Sequence, residues 1–202
     1  MIVFLITAFY FLTLFIGIEY IARKTAVVTE VSRKLAHILA GISAAFLPLV
    51  LPYPSIALLA GVFLIVMMIS RKLHVFTSIH DVTRRSYGEL FFPIVIGGMA
   101  LIFPQNILYM YGVLVMALAD GLAGLLGTFY GRATYSLGRA QKSYLGSGVF
   151  FLVCVGIGWV MTPQESVIII AIILTCVEAV SSKGLDNLLL PPIAAILMAA
   201  LG

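Results

Sequence analysis

The chain has 202 residues, of which 62% are hydrophobic and only 10% charged, and its mean hydropathy is +1.17. A soluble domain is about one quarter charged, so this composition cannot cover a water-facing surface and excludes a soluble globular protein. The net charge of +4 comes from 12 basic and 8 acidic residues, and no nucleic-acid partner is expected.

Eight apolar segments follow one another along the chain. The first, 2–22, is long enough to cross a bilayer, which takes about 20 residues. It has no basic leader and no small-residue cleavage site, so it reads as a transmembrane helix stopped by "ARK" at 22–24. Further spans are predicted at 35–52, 55–70, 90–104, 107–130, 148–162, 166–180 and 187–201. Several are short, which predicts tilted or broken helices. Turns are predicted at "LPYP" (51–54), "FPQN" (103–106) and "MTPQES" (161–166). Cys154 and Cys176 both lie in apolar runs and are expected as buried free thiols. The predicted fold is an all-α polytopic membrane bundle of about eight helices, a single integral membrane domain over 1–202.

The basic residues orient this bundle. Arg23, Lys24, Arg33 and Lys34 fall between spans one and two; Arg71, Lys72, Arg84 and Arg85 fall between three and four. Arg132, Arg139 and Lys142 follow span five, and Lys183 follows span seven. All 12 basic residues thus occupy alternate connections. By the positive-inside rule those connections are cytoplasmic and both termini are not.

The same connections carry the chemistry. In "TEVSRKLAHILAG" (29–41), a helix would set Glu30, Arg33 or Lys34, and His37 on one face; an ordinary basic flank with a Glu30–Lys34 pair is the competing reading. In "SIHDVTRRSYGELFFP" (78–93), Arg84 and Arg85 suit topology and His80, like His74, suits solvent, but Glu89 opens an apolar span. Acids at membrane depth usually meet a cation or a cavity.

The stretch "ALADGLAGLLGTFYGR" (117–132) places Asp120 on a helix face with Gly121, Gly124 and Gly131. Small residues let membrane helices approach closely, and that accounts for the glycines. A carboxylate on the same face wants a cation as well. The next stretch, "GRATYSLGRAQKSYLGS" (131–147), supplies Arg132, Arg139 and Lys142 without an acid. One acid beside a basic, Ser/Gly-rich loop suits Mg²⁺ with a polyphosphate, although no P-loop pattern is present. In "VEAVSSKGLDNLLLPP" (177–192), Glu178 ends one span while Asp186 and Asn187 open the next, where a helix cap is the competing reading. Charge gathered at one membrane face points to a soluble anionic reagent meeting a lipid substrate. A transporter would instead show polar residues near the midplane.

The stretches "RKLAH" (33–37), "RRSYGELFFP" (84–93), "DGLAGLLGTFYGR" (120–132), "QKSYLGS" (141–147) and "VEAVSSKGLDNLLLP" (177–191) occur in this order. Together they resemble the polyprenol kinase family, which includes dolichol kinases, phytol kinases and CTP-dependent diacylglycerol kinases. The resemblance covers about 30–191. It implies a CTP-dependent membrane kinase that transfers the γ-phosphate to an isoprenoid alcohol (phytol, polyprenol or dolichol) or diacylglycerol at the cytoplasmic face, with a divalent metal. The Asp-Gly and Lys-Ser regions also look distantly like CTP–phosphatidate cytidylyltransferases, and a non-catalytic lipid-binding protein or transporter is the third reading.

On the kinase reading, Asp120 ligates Mg²⁺ with Glu178 or Asp186 as the second acid. Arg33, Lys34, Arg132, Arg139 and Lys142 hold phosphate oxygens, with Ser143, Gly146, Ser147 and Asn187 beside them. Asp120, then Glu89, would accept the hydroxyl proton. Two positions depart from the family pattern: Leu145 stands where members commonly carry Glu, and Gly124 where many carry a second acid.

Overall fold

A computed structural model of the chain describes residues 1–25, 29–73, 87–138 and 140–202. Among these residues eight helices run in chain order: α1 (Ile2–Thr25), α2 (Thr29–Ala45), α3 (Tyr53–Leu73), α4 (Gly88–Ile102), α5 (Asn106–Tyr130), α6 (Tyr144–Met161), α7 (Ser166–Val180) and α8 (Leu185–Leu201). Helices dominate because a backbone in lipid must satisfy its own hydrogen bonds, and an α-helix does so within one segment. Four of them, α1, α3, α5 and α6, are long and apolar enough to cross a membrane; α4, α7 and α8 are apolar but shorter.

Two features depart from the sequence expectation. The second helix starts at Thr29 and ends at Ala45, so Arg33 and Lys34 lie inside it rather than in a connection. Pro48 then tightens the chain into a 3₁₀ turn, Leu47–Leu49, where a continuous span through 52 was expected. The stretch between α5 and α6 holds a two-stranded antiparallel hairpin, β1 (Thr134–Leu137) and β2 (Ala140–Ser143). Gly138, at φ 59°, supplies the left-handed backbone that a tight hairpin turn requires.

Helix α5 is the hub. It is the most buried of the four long helices, with 56% of its apolar window inside the bundle, and it packs on α2, α6 and α8. Tyr109, Tyr111, Val113 and Met116 are wholly buried there, against Phe150, Ile170, Leu174 and Leu190 of the surrounding helices. Around this hub α3 packs on α4, α4 on α8, α8 on α7 and α7 on α6, while α1 leans mainly on α2. Large apolar side chains face outward, among them Phe9, Ile65, Ile102, Trp159 and Val160. In water that surface would aggregate; against lipid it needs no cover.

The α2–α5 crossing is made by small residues. Gly41 lies against Ala117, Gly121 against Ile38, and Gly124 against the end of the Lys34 side chain, each too close to admit a Cβ. Such contact lets two helices meet at backbone distance. Cys154 is buried as expected, whereas Cys176 is exposed on the outer face of α7.

Candidate active site

Within α5 the residues Val115–Asp120 form a π-helical turn, and Asp120 closes it. Such widened turns recur at functional sites because they re-aim a side chain without breaking the helix. Here Asp120 is buried, ten residues short of Tyr130 and hence roughly 15 Å from the helix end at 1.5 Å per residue. Its Oδ2 accepts a hydrogen bond from Lys34 Nζ at 2.9 Å, and Lys34 also reaches the Asp120 carbonyl at 3.3 Å. His37, one turn along α2, brings Nε2 to 3.7 Å from the same Oδ2. That ring nitrogen also lies 2.9 Å from the Met116 carbonyl. A carbonyl can only accept, so Nε2 carries the hydrogen, and in the neutral ring Nδ1 keeps the lone pair.

A second cluster surrounds Lys142 on β2. Its Nζ is 2.5 Å from Glu178 Oε1 at the end of α7 and 3.6 Å from Asp186 Oδ2 at the start of α8. Ser147 donates to Glu178 Oε2 at 3.3 Å and shares a 2.6 Å bond with the Tyr135 hydroxyl of β1. Burial alone would lower the Lys142 pKa, but the negative charges of Asp186, Glu178 and Asp120 outweigh it and raise the ammonium above its ordinary value. Ser143 caps α6 by accepting from the Gly146 N–H at 3.0 Å, and Gly146 rests against the Ala123 carbonyl of α5.

A third group lies at the start of α4. The Asn187 amide donates to the Gly88 carbonyl at 3.0 Å, while the Asn187 N–H donates to Asp186 Oδ1 at 3.0 Å. Glu89 accepts from Arg71 at 2.9 Å, and the Arg71 guanidinium sits over the Tyr87 ring. Glu89, Arg33 and His37 together line a small chamber of about 40 Å³.

These contacts form one continuous path: Lys34, Asp120, His37, the chamber, Glu89, Gly88, Asn187, Asp186, Lys142, Glu178 and Ser147. Residues from α2, α4, α5, α6, α7, α8 and the hairpin therefore meet at one end of the bundle. Arg132 is exposed on the rim. Arg139, Arg84, Arg85, His74, His80 and the side chain of Glu30 lie outside the described residues. Sequence reasoning underrated three residues: His37 as a partner of Asp120, Tyr135 as a support for Ser147, and Arg71 as the partner of Glu89. Only the three-residue spacing of Lys34 and His37 on one helix face hinted at the first.

The donors suit a hard divalent cation. Glu178 and Asp186 both turn oxygens toward one cationic point, now held by an ammonium, and Mg²⁺ typically takes one or two carboxylates plus phosphate oxygens. Asp120 belongs to the neighbouring Lys34 cluster, and among the described residues no three His, Cys, Asp or Glu side chains form one metal-ligating group.

No protein-family model and no solved structure matches the chain. A curated phytol kinase from Synechocystis sp. is 32% identical over 187 residues, covering 86% of this chain and 80% of that protein. The chain belongs to the polyprenol kinase family. Its departure from the family pattern at Gly124 has a local reason, since that position is filled by the Lys34 side chain. Leu145, the other departure, is exposed on the first turn of α6.

Proposed function

We propose that this protein is a CTP-dependent lipid-alcohol kinase, transferring the γ-phosphate to a membrane isoprenoid alcohol or diacylglycerol at the cytoplasmic face. The observation that carries this reading is the two-sided site. The Lys142 cluster lies beneath the partly exposed hairpin, and the His37–Glu89 chamber lies among apolar helices, with Asp120 beside Lys34 and His37. The family relative supplies the reaction class. The positive-inside pattern supports eight membrane-embedded helices with both termini on the non-cytoplasmic side.

Lys142, Arg132 and Arg139 hold the triphosphate oxygens, and Arg33 and Lys34 approach them from the bundle side. Ser143, Gly146 and Ser147 give hydroxyl and backbone hydrogen bonds around the phosphates, and Asn187 fixes the start of α8 beside them. Mg²⁺ held where Glu178 and Asp186 converge would neutralise charge on the triphosphate, with Asp120 in the neighbouring Lys34 cluster. The alcohol oxygen forms the new bond to the γ-phosphorus as the bond to the β–γ bridging oxygen breaks, and CDP leaves with that electron pair. The hydroxyl proton passes to a carboxylate: Asp120, which stands behind His37, or Glu89 in the chamber wall. Phosphoryl transfer depends mainly on such positioning and charge stabilisation.

The test uses purified protein with Mg²⁺ and CTP labelled separately at the α- and γ-phosphates. Phytol, polyprenol, diacylglycerol and phosphatidic acid are offered in parallel, with ATP as a second donor. Label from the γ position reaching an alcohol is the expected result. Label from the α position, reaching phosphatidic acid, would make the protein a cytidylyltransferase. Transfer from neither by folded protein would leave a lipid-binding or transport role.

A further inference from the structure

An apolar groove of about 360 Å³ lies between α1, α2, α3 and α4, within the ~300–1,000 Å³ span of small-molecule sites. Ala8, Phe11 and Leu12 of α1, Ala44 of α2, Ile56 and Leu59 of α3, and Ile96 of α4 are among its walls. The groove and the polar chamber share Phe63 and Phe92, so the two adjoin across these rings.

The four helices agree on direction. On α1 the lining passes from Ala8 and Leu12 in the groove to Phe15 in the chamber, and on α2 from Ala44 to Arg33. On α3 it passes from Ile56 to Met67, and on α4 from Ile96 to Glu89. Groove and chamber thus lie end to end along the bundle axis. Together they span roughly 16 Å as measured along α3 at 1.5 Å per residue. One end is wholly apolar, and the other presents Arg33, His37 and Glu89.

We infer that groove and chamber together seat the substrate alcohol itself, with its branched hydrocarbon tail in the α1–α4 groove and its hydroxyl reaching past the Phe63 and Phe92 rings into the chamber. The inference rests on the lipid-alcohol reading of the site and names where that substrate lies. An ordinary bilayer lipid would place a charged headgroup at the polar end, whereas the chamber, at about 40 Å³, is of a size for a hydroxymethyl group or a few waters. The acceptor lone pair of His37 Nδ1 belongs to a ring that lines this chamber. A hydroxyl there stands one imidazole ring from Asp120. The groove's lateral wall is α1, which is held chiefly by α2, so a tail can enter from the surrounding lipid and extend beyond the groove into it.

The experiment is photolabelling in phosphatidylcholine nanodiscs with a phytol analogue carrying a diazirine at mid-tail, read by mass spectrometry, with γ-phosphate transfer scored on the same samples. Labelling is expected on Ala8–Leu12 and Ile56–Val66, displaced by phytol but not by a saturated hydrocarbon without a hydroxyl. The variant Ala8→Trp, at a half-buried groove position, is expected to raise KM for phytol about tenfold and to leave turnover of prenol, the short isoprenoid alcohol, unchanged. Labelling outside the groove, equal displacement by the hydrocarbon, or equal loss with phytol and prenol in Ala8→Trp would each overturn the inference. Alcohol-specific groove labelling without phosphate transfer would keep the groove and defeat the kinase reading. Transfer without groove labelling would do the reverse.

Discussion

Lys34 and Asp120, separated by 86 positions in the chain, form a buried ion pair with Nζ 2.9 Å from Oδ2. The pair joins α2 to the π turn of α5 and explains how a carboxylate is tolerated so far from the helix end. Removing one partner of a buried pair leaves the other charge uncompensated, at a cost of about 3–5 kcal/mol. Asp120→Ala is therefore expected to lower stability as well as activity, and Asp120→Asn to spare more of the stability. The double variant Lys34→Ala/Asp120→Ala should lose less stability than the sum of the two single changes. Thermal unfolding in detergent checks this; strict additivity would mean that the two charges do not support each other.

Gly124 and Gly41 make opposite predictions on the same interface. A methyl at Gly124 meets the tip of Lys34, which is flexible, whereas one at Gly41 meets Ala117 including its backbone. Gly124→Ala should push Lys34 off Asp120 and reduce activity more than stability, partly because alanine favours helix by up to about 1 kcal/mol. Gly41→Ala should destabilise the bundle outright. Gly148, with open space around its Cα, is the control, and Gly148→Ala should match or exceed the wild-type melting temperature.

Lys142 is the cation that two acids share, and its removal should reduce phosphate transfer by about a hundredfold or more, as loss of a charge-stabilising group commonly does. Lys72, exposed at the end of α3, serves as the comparison, and Lys72→Ala should leave turnover unchanged. Arg71 is unsuitable for that purpose because it holds Glu89. Equal effects of the Lys142 and Lys72 changes on kcat would remove Lys142 from the mechanism.

The raised Lys142 pKa fixes a pH dependence. The ammonium form is stabilised in the folded protein, so its contribution is complete below the ordinary lysine value of 10.5 and is lost only as pH rises through the higher folded value. The melting-temperature difference between wild type and Lys142→Met should stay constant from about pH 7 to about pH 9, below the ordinary lysine range. It should shrink only at stronger alkalinity. A difference already falling near neutral pH would contradict the charge arrangement around Lys142.

Much of the architecture could be read along the chain because lipid imposes a local rule. Seven of the eight predicted spans fall on the helices now seen. The exception is instructive: α2 begins six residues before the predicted span because Lys34 finds Asp120 across the interface and need not face water. Hydropathy counts a lysine as a boundary and has no term for its partner.

The candidate residues were legible as types and the site was not. Glu89, Asp120, Lys142, Glu178 and Asp186 stood out because an ionisable group at the edge of an apolar run is costly and must be answered. Which charge answers which depended on helix crossings that no periodicity encodes. Glu89 went to Arg71, Asp120 to Lys34, and Glu178 and Asp186 to Lys142.

By itself the sequence determined that this chain lives in lipid, that it is helical, and that its charges gather at one end, since each follows from the transfer cost of single residues. The tertiary structure alone decided the pairing of those charges, the turn that aims Asp120, and the placing of the groove beside the chamber. Those depend on side chains far apart in the chain meeting at distances of a few ångströms, and that is set by how helices pack.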